Sequence, residues 1–206
     1  MLEHCGLLKF LFPATARALQ RGDEALRSLV EQGLANTDAR IAEGKSVTPA
    51  FLFAVLLWGE VRDVAHHYIA QGMDGNEGWA RAAAQVVAEQ CQRVAIPRRF
   101  TFTMEEIWSL QPRFEQIQRK RVFRLMTHPR FRAAFDFLLL RAAESPAMHE
   151  LGQWWAHAQL LPQDVLAAAL PASGGSHVSD NAVLPVAARP PRRRRRSRPS
   201  DKSGSV

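Results

Sequence analysis

The sequence predicts an all-α fold, on three observations. Apolar residues recur at the 3.6-residue helical period in nearly every segment up to residue 160. Alternating polar and β-branched runs bounded by hairpin turns do not occur. Capping residues and prolines stand where helices begin.

The opening "MLEHCGLLKFLFPATARA" has a short apolar run, but Glu3 before it and Lys9 within it distinguish it from a secretion signal. It predicts an amphipathic helix ending at Pro13. Asp23 suits the cap of a helix with the stripe Leu26, Leu29, Val30 and Leu34, and "NTDARIA" extends or follows it. Pro49, tolerated in a first helical turn, opens "PAFLFAVLLWGEVRDVAHHYIA", apolar enough to be the most buried helix. "GMDGNEG" reads as a turn, followed by a helix from Glu77 to Ala95 that Ile96 and Pro97 end. Thr103 and Glu106 have capping-box spacing and predict a helix start, with Ile107, Trp108 and Leu110 inward and a bend at Pro112. A short helix reaches Met126, with Val122, Leu125 and Met126 inward. A longer one starts at Pro129 with the stripe Phe131, Ala134, Phe135, Leu138 and Leu139, and a last helix carries Trp154 and Trp155. Residues 1–160 are thus expected to be a helical body. Residues 161–206, rich in Pro, Gly, Ser and Arg, have too little apolar surface to offset the entropy of ordering and are expected to be a disordered basic tail.

The net charge of +7 is unevenly distributed. Residues 1–92 sum to −3, residues 93–132 to +7, residues 133–170 to −3 and residues 171–206 to +6. Two basic regions in an otherwise mildly acidic chain point to a polyanionic partner. In the first lie Arg98, Arg99, Arg113, Arg119, Lys120, Arg121, Arg124, Arg130 and Arg132; a helix over 119–126 leaves Lys120, Arg121 and Arg124 outward as a ridge. Arg130 and Arg132 at a helix start oppose its dipole, at a cost of about 0.3–1 kcal/mol each when exposed. The simpler reading is a solvated face paired with Glu105, Glu106 and Glu115. In the tail, "RPPRRRRRSR" includes Arg192, Arg193, Arg194, Arg195 and Arg196; these arginines repel one another unless phosphates screen them, and guanidinium forks onto phosphate. A targeting signal, an anionic-membrane patch and compositional drift compete with that reading.

Catalytic signatures are sparse. "HELGQ" starts like a zinc-helix motif but has Gln153 where a second histidine belongs, and His66 and His67 are adjacent, hence on different helix faces. A phosphate-cradling glycine loop and a strand-borne aspartate pair are missing from the sequence. Cys5 and Cys91 are far apart without CxxC partners and read as buried or inert thiols in a reducing, cytoplasmic setting. No run reaches the roughly 18 apolar residues of a membrane span, so no membrane partner is expected. Phe100, Phe102, Trp108 and Phe114 suit base stacking or the core, and for Trp108 the core is favoured.

The blocks "NTDARI", "PAFLFAVLLW", "AIPRRFT", "IWSLQPRF", "KRVFRLMTHPRFRAAFDFLLLRA" and "WW", followed by an arginine-rich end, occur in the order seen in bacterial poly(A) polymerases. The chain therefore resembles the C-terminal portion of that family, whose nucleotidyltransferase fold is shared with CCA-adding enzymes. The resemblance implies a helical body and tail that hold RNA, without the α/β head and its two metal-binding aspartates. Catalytic and ATP-selecting residues are then missing from this chain, which should be inactive alone. For the intact family enzyme it implies Mg2+ and ATP, and for this chain no cofactor. It further implies single-stranded RNA 3′ ends, read with little base specificity, as partner, and RNA-decay proteins as further partners. The body and tail cations named above are the expected phosphate contacts. A stand-alone basic RNA-binding adapter is the alternative; a fragment of a CCA-adding enzyme is disfavoured by the arginine tail.

Overall fold

The structure, a computed structural model, describes residues 5–171. Ten α-helices account for these residues: α1 (Leu8–Leu11), α2 (Pro13–Gln20), α3 (Glu24–Ala42), α4 (Pro49–Ala70), α5 (Gly75–Cys91), α6 (Arg98–Phe114), α7 (Arg119–Met126), α8 (Phe131–Leu140), α9 (Pro146–Ala158) and α10 (Gln163–Ala169), with a 3-10 turn at Arg141–Ala143. Among the described residues there is no strand, and no helix is long and apolar enough to cross a membrane.

Local chemistry sets most boundaries. Asp23 caps α3 by accepting the Leu26 N–H at 2.9 Å, and its other oxygen lies 2.6 Å from Arg62 Nη2 of α4. Partial burial raises this carboxyl, but the Arg62 hydrogen bond, the Leu26 N–H and the nearby Arg62 and Arg21 charges outweigh it and hold the group below the usual carboxylate range. Pro49 begins α4, as its fixed φ allows. Pro13 does not end the first helix as expected: α1 stops at Leu11, and Pro13 opens α2 after Phe12, whose backbone leaves the helical region. The structure also corrects α5, which starts earlier, at Gly75, because Asp74 accepts the Asn76 and Glu77 amides, and ends at Cys91 rather than Ala95.

Two apolar clusters make the interior. The first joins α1–α6 around Trp58, which stacks on Trp79 at 5.2 Å and meets the Phe137 edge at 5.2 Å. The second joins the end of α6 to α7–α10 around Trp155, whose indole meets the Phe114 ring edge at 5.0 Å and donates to the Phe114 carbonyl at 2.9 Å. Helices α6 and α8 contribute to both. That explains a correction on α8: Leu139, expected inside, is 42% exposed, whereas Phe137 is fully buried in the first cluster and Leu138 in the second. Leu34 of α3 is likewise outside, at 43%, because Gly33 and Thr37 take the inward positions and Gly33 lies directly against Val55. Both cysteines are exposed rather than buried.

A polar network ties α4, α6 and α8 together. Arg141, buried just past α8, forms an ion pair with Glu144 at 3.0 Å, donates to Gln111 Oε1 at 3.4 Å and lies over the Trp58 ring at 4.8 Å. Gln111 in turn donates to the Ile107 and Ala134 carbonyls, so every member is satisfied.

Helix α10 lies beyond the body limit expected at residue 160. Leu166 and Leu170, one helical turn apart, are buried against the second cluster, so residues 163–170 belong with the helical body; residues 172–206 of the expected tail lie outside the described residues.

Candidate nucleic-acid interface

The ridge on α7 is built as its sequence dictates. Val122 is fully buried and Leu125 nearly so, with Phe123 and Met126 half-buried beside them, which turns Lys120, Arg121 and Arg124 to solvent; Arg119 is exposed at the start of the helix. No acidic side chain stands in the first turn of α7, where the dipole favours one. Arg121 donates to Gln116 Oε1 at 2.7 Å, in the loop entering α7. Arg119, Lys120, Arg124 and, at the end of α6, Arg113 have no side-chain partner among the described residues. A solvated face laced with ion pairs is therefore not what these four residues form.

The remaining body cations are placed differently. Arg98 and Arg99 lie in the first turn of α6, not before it, because the helix starts directly after Pro97. Thr103, expected as a cap, is one turn inside, where its hydroxyl donates to the Arg99 carbonyl at 3.0 Å. Arg113 lies fourteen positions beyond Arg99 along the helix, about 21 Å at the helical rise, so the structure does not gather all nine cations into one patch. Arg99 lies over the Phe100 ring at 4.7 Å. Arg130 is held by Glu106 at 2.9 Å, midway along α6, and Arg132 pairs with Asp136 at 3.0 Å. Burial pushes the Glu105 carboxyl up, against the pull of Arg98.

Of the aromatics considered for stacking, Trp108 and Phe114 are fully buried and Phe100 is half-buried, whereas Phe102 stands 61% exposed. His66, His67 and His149 are exposed, and no group of three or more metal-ligating side chains exists among the described residues. Sequence reasoning missed the path of the chain after α10: the Pro171 carbonyl accepts the Arg119 amide at 3.3 Å, which brings the chain back to the start of the α7 ridge. Arg192, Arg193, Arg194, Arg195 and Arg196 lie outside the described residues.

Residues 71–200 match the family described as the polymerase A arginine-rich C-terminus. The chain is 39% identical to the poly(A) polymerase I of Salmonella typhi over 205 residues, covering 96% of this chain and 41% of that protein. It is 39% identical to the poly(A) polymerase I of Escherichia coli O157:H7 over 159 residues, covering 75% and 34%, and 34% identical to that of Haemophilus influenzae over 158 residues, covering 75% and 35%. It thus spans about two fifths or less of the curated relatives it matches. By the extent of these matches the chain belongs to the poly(A) polymerase family, as its arginine-rich C-terminal portion.

Proposed function

We propose that this portion holds the RNA strand on which a poly(A) polymerase I acts, gripping backbone phosphates while the transfer of AMP from ATP to the 3′ end is carried out by residues outside these 206. The observation that carries the reading is the set of four unpartnered cations, Arg113, Arg119, Lys120 and Arg124, at the junction of α6 and α7. Unpaired guanidinium and ammonium groups engage phosphates without reading bases, so a strand can advance past them as it grows. Mg2+ and ATP serve the transfer step in this reading, not the grip on the strand. The arginine run at 192–196 supplies a second grip in this reading. RNA is the partner and the cytoplasm the setting; RNA-decay proteins are further partners of the same strand.

A titration of labelled oligoadenylate against salt tests the grip. With four phosphates neutralised by the body, log affinity should fall with log salt at a slope of at least about −2.8. Replacing Lys120 and Arg124 together by Ala should flatten the slope by about 1.4 without loss of helicity, since both are exposed. A salt-independent affinity would remove the reading. The division of labour is tested by incubating the 206-residue chain with ATP, Mg2+ and RNA: no adenosine should be added, and magnesium-dependent extension would contradict it.

A further inference from the structure

We propose that Phe102 is a stacking platform for an unpaired base of the bound strand, set between Arg99 and Arg113 on the outer face of α6; this rests on the RNA-holding reading above. At 61% exposure the ring contributes little to the core, unlike Ile107, Trp108, Leu110 and Phe114 of the same helix, which are at most 1% exposed. No ring or cation engages it among the described residues. At 100° per residue, Arg99, Phe102, Glu106 and Arg113 fall within about 60° of one another around α6, a single stripe about 21 Å long. The one acid in that stripe, Glu106, is countered by Arg130 at 2.9 Å, so the stripe presents net positive charge around an apolar ring. Phosphate and base are the two halves of a nucleotide, and this face offers a surface for each.

The chemistry of the ring specifies its ligand. A phenyl group has no donor or acceptor, so it accepts the π-face of any base and reads none of them. Only a base free of the duplex stack can lie on it. Cations alone grip a duplex as well as a single strand, so Phe102 is the element on this face that favours single-stranded RNA.

The test uses the full 206-residue chain and three labelled probes, each about ten nucleotides long, within the usual span of such sites: oligoadenylate, an abasic ribose-phosphate strand of equal charge, and an RNA duplex. Phe102→Ala should weaken oligoadenylate about tenfold, leave the abasic strand and the salt slope unchanged, and reduce the preference for oligoadenylate over duplex; Phe102→Trp should retain wild-type affinity. A 2-aminopurine in the oligoadenylate should be quenched by the wild-type chain and not by Phe102→Ala. Equal oligoadenylate affinity for wild type and Phe102→Ala, or equal losses on the abasic strand, overturns the platform while leaving the phosphate grip standing. Failure of the wild-type chain to bind any probe overturns the grip, and the platform with it.

Discussion

The Arg141 guanidinium lies 4.8 Å from the centroid of the Trp58 ring, and the Trp58 indole N–H is donated to Glu144, the acid that also pairs with Arg141. Three residues from α4 and the segment after α8 thus close a ring of contacts inside the protein, with Gln111 of α6 as the fourth member.

Removing the cation from this ring should be severe. Arg141→Met leaves Glu144 facing an apolar interior and takes a donor from Gln111, and should lower stability by about 3 kcal/mol, the scale of a broken buried pair. Urea denaturation followed by circular dichroism measures it. The double variant Arg141→Met with Glu144→Gln should recover part of the loss, because the uncompensated charge is gone; equal loss in both variants would show that packing on Trp58, not charge, dominates.

The Asp23 cap has a pH signature. Because the folded state lowers this carboxyl, its stabilisation is present above the ordinary carboxylate range and is lost as pH falls through the lowered value. Asp23→Asn keeps the cap but weakens the pairing with Arg62, so its denaturation midpoint should trail wild type at neutral pH and converge with it in acid. Asp23→Ala should cost about 1 kcal/mol through the cap, at either pH.

Two glycines should respond oppositely to alanine. At Gly33 a new Cβ meets Val55 Cγ1 at 2.9 Å and Cγ2 at 3.1 Å, and Val55 is fully buried with one stiff torsion. Gly33→Ala should therefore lower stability by about 1–2 kcal/mol. Gly75, at the start of α5, has nothing within 4 Å, and Gly75→Ala should raise stability by about 0.5 kcal/mol. Thermal melts of the two variants check the sign.

Glu106 restrains the stripe on α6. Glu106→Gln removes a negative charge and releases Arg130, so oligoadenylate affinity should rise about two- to fivefold at low salt, the scale of one exposed pair, and the gain should vanish at high salt. Unchanged affinity at low salt would place the strand away from the middle of α6.

The ridge on α7 was legible because charge and apolar period alternate over eight residues, and a helix of that length has one inner side. Boundaries that depend on a single residue were less so. Thr103 and Glu106 imitate a helix start, but Pro97 already fixes the chain at the cap of α6, and helix formation propagates from there. Leu139 and Phe137 exchanged places because α8 touches two clusters and has no single inner stripe. Arg141 was overlooked as the one cation among residues 133–170; its partners Gln111 and Trp58 lie 30 and 83 positions away, and only the folded chain brings them together. On the interface, exposure separated Phe102 from Phe114, a residue of the same type that the sequence leaves open between core and stacking.

Helix α6 shares side chains with both apolar clusters and also carries the stripe from Arg99 to Arg113. Its amides are released only when both halves of the interior come apart, so they should be among the slowest in the molecule to exchange with deuterium. In the proposed function, tension on a strand held along that outer face would be shared by both apolar clusters, and the hold would outlast the fraying of any peripheral helix.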